Sequence, residues 1–188
     1  MVFELLRRRS TTQMPHADST QFPPGLPRPE LYTLVLAQAQ ALLEDQSNWV
    51  VNAANLSSLL HHAFLSIPLD VNWTGFYVLP SISSTTLLLG PFQGKVACQS
   101  IKLGTGVCGT SAHTGQTVIV PNVDEWPGHI ACDGESRSEI VVPIKDKEGR
   151  VRGVLDVDCR STGGFSGVDQ DGLERIVRLL AERSEWPQ

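Results

Sequence analysis

Glu139-Ile-Val-Val-Pro-Ile144 and Val151-Arg-Gly-Val-Leu-Asp-Val-Asp158, joined by Lys145-Asp-Lys-Glu-Gly-Arg150, decide how this chain is read. The outer runs are rich in β-branched residues and the middle one is polar with a turn glycine, the pattern of a β-hairpin. Side chains alternate faces along a strand. Glu139, Val141 and Pro143 therefore share one face, as do Arg152, Val154, Asp156 and Asp158 on the partner strand. Pairing Ile144 with Val151 puts Glu139 opposite Asp156 and diagonal to Asp158, so three carboxylates meet on one face. A slip of one residue would separate them and turn apolar positions to the wrong side. Like charges facing each other across a sheet repel, so the cluster needs a cation or a proton to hold it.

Outward from the hairpin, Gly128-His-Ile-Ala-Cys132-Asp-Gly-Glu-Ser-Arg-Ser138 is a loop of mainly small and polar residues, which leaves the Cys132 thiol reachable. Leu31, Leu34, Val35, Leu42 and Leu43 make a helical stripe beginning near Pro29, and a second helix is expected over 48–64 with Val51, Ala54, Leu59 and Ala63 among its apolar positions. The aromatic and β-branched run 72–79 predicts a strand, with Trp73, Gly75 and Tyr77 on one face and Thr74, Phe76 and Val78 on the other. Trp73 and Tyr77 are either core residues or walls of a small-molecule pocket with Gly75 leaving room between them. Strands are expected at 85–89 and 95–101 across the turn Gly90-Pro-Phe-Gln-Gly94, placing Cys98 on the second, and another at 117–120. Gly104-Thr-Gly-Val-Cys108-Gly109 lacks the spacing of a nucleotide-phosphate loop and reads as a tight loop entering a short helix. A closing helix starts near Ser166, a suitable N-cap, and carries Leu173, Ile176, Val177 and Leu180 on one face. The fold class is α+β: one domain with a mostly antiparallel central sheet flanked by N-terminal and C-terminal helices.

The chain has 188 residues, 41% of them hydrophobic, enough for one domain with a sizeable core. A net charge of −5 without a basic patch speaks against nucleic acid. No run reaches the roughly 18 apolar residues of a membrane span. Residues 1–29 hold Arg7-Arg8-Arg9, scattered Ser and Thr, and several prolines, and read as an extension, flexible or docked on the surface, ahead of a folded domain at 30–188. The start is too short in apolar residues for a secretory signal, so a reducing, cytoplasmic setting is expected, with organelle targeting by the basic extension left open.

Four cysteines in that setting point to redox chemistry, metal or packing more than to structural disulfides. They stand at 98, 108, 132 and 159 without a Cys-x-x-Cys pair, and His61 and His62 do not share a helix face, so no zinc site is expected. No serine sits in a nucleophile elbow. His129, three residues from Cys132, is a weak basis for a cysteine hydrolase.

The blocks Asn72-Trp-Thr-Gly-Phe-Tyr77, Gly90-Pro-Phe-Gln-Gly94, Gly106-Val-Cys-Gly-Thr110, Pro127-Gly-His-Ile-Ala-Cys132, Ser136-Arg-Ser-Glu-Ile-Val-Val-Pro143 and Gly153-Val-Leu-Asp-Val-Asp158 together resemble the free methionine-R-sulfoxide reductases, single-domain proteins of the GAF fold. The resemblance spans nearly all of residues 30–184. It implies that Cys132 is the catalytic cysteine, and that Cys98 and Cys108 are the two thiols able to resolve its sulfenic acid as a disulfide. It further implies that Glu139, Asp156 and Asp158 bind the substrate and assist the chemistry between the aromatic walls Trp73 and Tyr77. Cys159 departs from the pattern and is expected to be buried.

The residue types fit that chemistry on their own account. Free methionine sulfoxide carries an ammonium, which a carboxylate cluster would capture while relieving its own repulsion. Protein-bound methionine sulfoxide has a neutral amide there and would leave the carboxylates unpaired. The leaving oxygen needs a proton, and one of the three carboxyls, its pKa raised by its neighbours, could supply it. The resulting sulfenic acid condenses with a second thiol. Thioredoxin, with its NADPH-dependent reductase, is the implied external reductant; no bound cofactor, nucleic-acid partner or membrane partner is expected, and a homodimer is left open. The rival readings are a non-enzymatic GAF sensor of a small ligand and a thiol-based redox sensor.

Overall fold

The computed structural model describes residues 22–128 and 134–188. Its centre is a six-stranded sheet in the order β3-β2-β1-β6-β5-β4, every neighbouring pair antiparallel. The strands are β1 (Val71–Val78), β2 (Thr86–Gly94), β3 (Ser100–Lys102), β4 (Val118–Val120), β5 (Ser138–Lys145) and β6 (Val151–Cys159). Helices α1 (Arg28–Leu42), α2 (Trp49–Leu65) and α4 (Gly167–Arg183) cover one face, and the short α3 (Gly106–Thr114) packs on the other. This is the α+β architecture expected. Among the described residues no helix is long and apolar enough to cross a membrane.

The alternation of side chains in the three central strands builds two cores. Val71, Phe76 and Val78 of β1, Ile140, Val142 and Ile144 of β5 and Leu155, Val157 and Cys159 of β6 join the core beneath α1, α2 and α4. Trp73, Tyr77, Val141 and Val154 face the other way, into a core closed by Val107, Cys108 and Ala112 of α3. Every residue of β1 is buried, because it is paired on both edges and covered on both faces.

Several local expectations are corrected. Helix α2 turns Ala53, Leu56, Leu59, Leu60, Ala63 and Phe64 inward, leaving Val51 and Ala54 exposed. Gly90-Pro-Phe-Gln-Gly94 is not a turn but the second half of β2. A register shift between β1 and β2 there sets Gly90 and Pro91 against Phe76 alone, and such a bulge, on a stretch that β3 does not pair, tolerates a residue without an N–H. Cys98 accordingly lies on the loop between β2 and β3, not on a strand. The hairpin register also differs: Ile144 pairs with Gly153, Val141 with Asp156 and Glu139 with Asp158. The turn is one residue shorter than expected, with Lys145 opposite Val151, and a bulge at Arg152 adds a second offset of one. Two single offsets restore the parity of the faces, so the carboxylates stay together.

Asp169 welds α4 to α1. It is fully buried, accepts hydrogen bonds from the Ser166 backbone N–H (2.8 Å) and Tyr32 Oη (2.9 Å), and pairs with Arg28 Nη1 at 2.5 Å. The Tyr32 ring lies against the backbone of Gly172, where an added Cβ would come within 2.3 Å of the ring. Gly172→Ala should therefore destabilise the fold by about 1–3 kcal/mol, as overpacking of a dense core does, and urea unfolding at neutral pH reads that loss directly.

Candidate active site

The α3 face of the sheet carries a row of polar groups among apolar ones. Glu139 and Asp156 are 5% and 7% exposed, and Asp158 beside them is half-buried. Their placement follows from strand parity: Val141 and Glu139 on β5 and Val154, Asp156 and Asp158 on β6 all face the side that α3 closes. Cys108, on the first turn of α3, sits over them and donates to Glu139 Oε1 at 3.9 Å. The donor atoms of Cys108, Glu139 and Asp156 all lie within 4.8 Å of one another. Arg152, expected on this face, is turned away by the bulge, its guanidinium bonded to Asp146 (2.8 Å) and the Pro187 carbonyl (2.9 Å).

Burying acids together changes their ionisation. Burial, then the charge of Asp158, pushes the Glu139 carboxyl well above the usual carboxylate range. Burial, then Glu139, does the same to Asp156. Burial and the charges of Asp156 and Glu139 push the Cys108 thiol up, so it is protonated at neutral pH. Tyr77 rises for the same reasons, burial first, then the charges of Asp156, Cys108, Asp158 and Glu139. The ligating atoms of Asp156 and Glu139 lie within 4.8 Å of each other, and such closeness of two acids is favourable when one of them holds a proton.

The same core holds an aromatic stack. Trp73 lies nearly parallel to Tyr77 (centroids 5.8 Å apart, 20° between planes) and to Phe92 (5.3 Å, 13°). Gly75 makes room for the Trp73 ring itself, since a Cβ there would come within 2.5 Å of it and 2.3 Å of Phe92 Cβ. Trp73 and Tyr77 are buried core residues, and Phe92 stacks on Trp73 although no local pattern assigned it a role. Its signal lay in the register of β2, where Phe92 pairs with Gly75.

The Trp73 indole N–H donates to the Lys95 carbonyl at 3.1 Å, tying down the start of the loop that carries Cys98. Lys95 pairs with Glu135, which also accepts from Arg160 Nε at 2.9 Å, and Arg160 reaches Asp70 at 3.0 Å. Cys98 is half-buried and disulfide-bonded, whereas Cys108 and Cys159 are free thiols. Cys159 is fully buried on the opposite face of the sheet, in the core under the helices. Cys132 and His129 lie outside the described residues.

Residues 29–182 match the model of the GAF domain family. Over 171 residues the chain is 49% identical to the free methionine-R-sulfoxide reductase of Saccharomyces cerevisiae, covering 91% of this chain and 95% of the yeast protein. The chain belongs to the free methionine-R-sulfoxide reductase family. That makes it a member of an oxidoreductase family built on the GAF fold. The Escherichia coli free methionine-R-sulfoxide reductase is 40% identical over 151 residues, covering 80% of this chain and 87% of that protein. The solved structure of the Neisseria meningitidis reductase in complex with its substrate superposes with a TM-score of 0.79 at 40% identity, covering 86% of this chain and 93% of that one.

The carboxyl cluster makes stability depend on pH in a definite sense. Glu139 and Asp156 have folded-state pKa values raised above their ordinary 4.5 and 3.8. Their contribution is complete below those ordinary values and is lost as pH rises through the raised ones. Denaturant melts of the ligand-free protein should show lower stability at about pH 8 than at about pH 5, and Glu139→Gln should flatten that slope. An unchanged slope in Glu139→Gln would mean that this carboxyl titrates normally.

Proposed function

We propose that this protein reduces free L-methionine-(R)-sulfoxide to L-methionine, using Cys132 as nucleophile and the carboxyl cluster as the binding and proton-supplying part of the site. The observation that carries the reading is the group of buried Glu139 and Asp156 and half-buried Asp158 beside the Trp73–Tyr77 stack, in a chain 49% identical to the yeast reductase. A buried acid cluster favours a ligand with a fixed positive charge, and the ammonium of a free amino acid is one. The apolar methionine side chain suits an aromatic wall, where sulfur against a ring is favourable.

In this reading the Cys132 thiolate attacks the sulfoxide sulfur. The sulfoxide oxygen takes a proton from the Glu139–Asp156 pair and passes to the cysteine, which becomes a sulfenic acid as methionine leaves. Raised pKa values in that pair favour its keeping a proton at neutral pH, the requirement for a general acid. A second thiol then displaces water from the sulfenic acid, forming a disulfide. Cys98 is the preferred resolving residue: it is half-buried on a loop and disulfide-bonded, whereas Cys108 is a free thiol buried against Glu139. Thioredoxin, an external dithiol, would reduce the disulfide and complete the cycle.

The test is turnover, followed as NADPH loss through thioredoxin and its reductase, with the R and S epimers of free methionine sulfoxide and an oxidised peptide offered separately. Consumption with the free R epimer alone is expected. Cys132→Ser should abolish turnover, and Cys98→Ser should release about one equivalent of methionine and then cycle poorly. Thioredoxin-coupled turnover undiminished in Cys132→Ser would sink the mechanism, and silence of the unsubstituted protein toward every substrate would leave a ligand-sensing GAF domain.

A further inference from the structure

We propose that Cys108, Glu139 and Asp156 form a site for one thiophilic divalent cation of the zinc class. The three donors come from three different elements, α3, β5 and β6, which is why no ligand spacing betrays them in the sequence. Their ligating atoms lie within 4.8 Å of one another, and all three residues are buried. In a tetrahedral zinc site, metal–sulfur and metal–oxygen bonds of about 2.3 and 2.0 Å set sulfur and oxygen roughly 3.5 Å apart. Cys108 Sγ and Glu139 Oε1 stand at 3.9 Å, a few tenths of an ångström from that separation.

A second, independent observation points to a ligand. Asp156 Oδ1 is buried and, among the described residues, has no hydrogen-bond partner. An acceptor in that state costs stability unless something positive or protic meets it. The donor set narrows the choice: a thiolate with two carboxylates suits zinc or its neighbours in the first transition row, whereas magnesium and calcium take oxygen donors without sulfur. Three protein ligands leave a fourth position for water, as in sites that exchange ligands.

The consequence for the enzyme rests on the function proposed above. The cation would occupy the carboxylates that the substrate's ammonium needs, so metal and free methionine sulfoxide should compete, and zinc should inhibit. Nothing in the geometry of metal binding itself requires the reductase chemistry.

Cobalt(II) titration of the full-length protein carrying Cys98→Ser and Cys132→Ser tests the site, since that background removes the two thiols that could otherwise take the metal. One equivalent should give a thiolate-to-cobalt charge-transfer band that zinc displaces and free methionine sulfoxide weakens. Adding Cys108→Ser should remove the band. Asp156→Asn, which keeps the thiol, should leave a weaker complex, and circular dichroism should match the parent in both variants. No band in the parent, or a band unchanged in Asp156→Asn, overturns the inference, as does one that survives Cys108→Ser. Turnover of the unsubstituted protein is assayed separately. A cobalt site in a protein without reductase activity keeps this inference and removes the proposed function, and activity with no cobalt site does the reverse.

Discussion

Two carboxyl groups that share one closed side of a sheet, Glu139 and Asp156, set the terms for everything around them. Each is almost wholly withdrawn from water, and each lies in the field of the other. An ionised carboxylate moved from water into such surroundings costs several kcal/mol even after the protein relaxes. Two of them cannot both be charged without compensation. The pair therefore holds a proton or accepts a cation, and these are the two capacities a sulfoxide reductase with a free amino-acid substrate requires. In the proposed function, proton supply and ammonium capture would come from one electrostatic constraint.

The scaffold keeps that constraint from relaxing. Glu139 and Asp156 sit on strands paired at both edges, so neither can swing out to solvent without breaking the ladder. The Trp73, Tyr77 and Phe92 stack fills the space beside them with rigid rings. The bulge at Arg152 matters for the same reason. Without it, strand parity would carry a guanidinium onto the carboxylate face, where it would neutralise the acids permanently; with it, Arg152 is spent on Asp146 and the Pro187 carbonyl. The alternation that gathers the acids also sends Cys159 to the far side of the sheet, away from Cys108.

Much of this was legible along the chain, for a physical reason: period-two alternation is local. The hairpin, the two faces of β1, the gathering of Glu139, Asp156 and Asp158 on one face and the N-cap of α4 at Ser166 all follow from short-range patterns. What escaped depends on partners. The register of β5 against β6 is fixed by a bulge whose energy lies in the pairing, not in the run of residues, so Glu139 faces Asp158 rather than Asp156. Gly90-Pro-Phe-Gln-Gly94 has the composition of a turn and becomes strand because β1 supplies the ladder, and this moved Cys98 from strand to loop and hid Phe92. Cys108 carries no local sign of its contact with Glu139, 31 positions away. Residues 1–21 of the extension expected over 1–29 lie outside the described residues, as does Cys132, whose role comes from the family resemblance.

In the proposed function, selectivity would follow from the cost already stored in the cluster. A free amino acid would bring an ammonium that pairs with one carboxylate while its neighbour keeps a proton, so each acid would gain a partner as the ligand enters. A methionine sulfoxide within a polypeptide brings a neutral amide, which offers at most one ordinary hydrogen bond and leaves the second carboxyl as unfavourable as before. The discrimination would thus arise less from extra attraction toward the right ligand than from a penalty that the wrong one fails to remove, and sites built this way reject analogues strongly because their buried polar groups are left unpaired. It also fixes where the proton goes. Once an ammonium neutralises one carboxyl, the proton held between Glu139 and Asp156 is free to move toward the sulfoxide oxygen, so in this reading recognition of the amino group and activation of the leaving oxygen are two uses of the same pair.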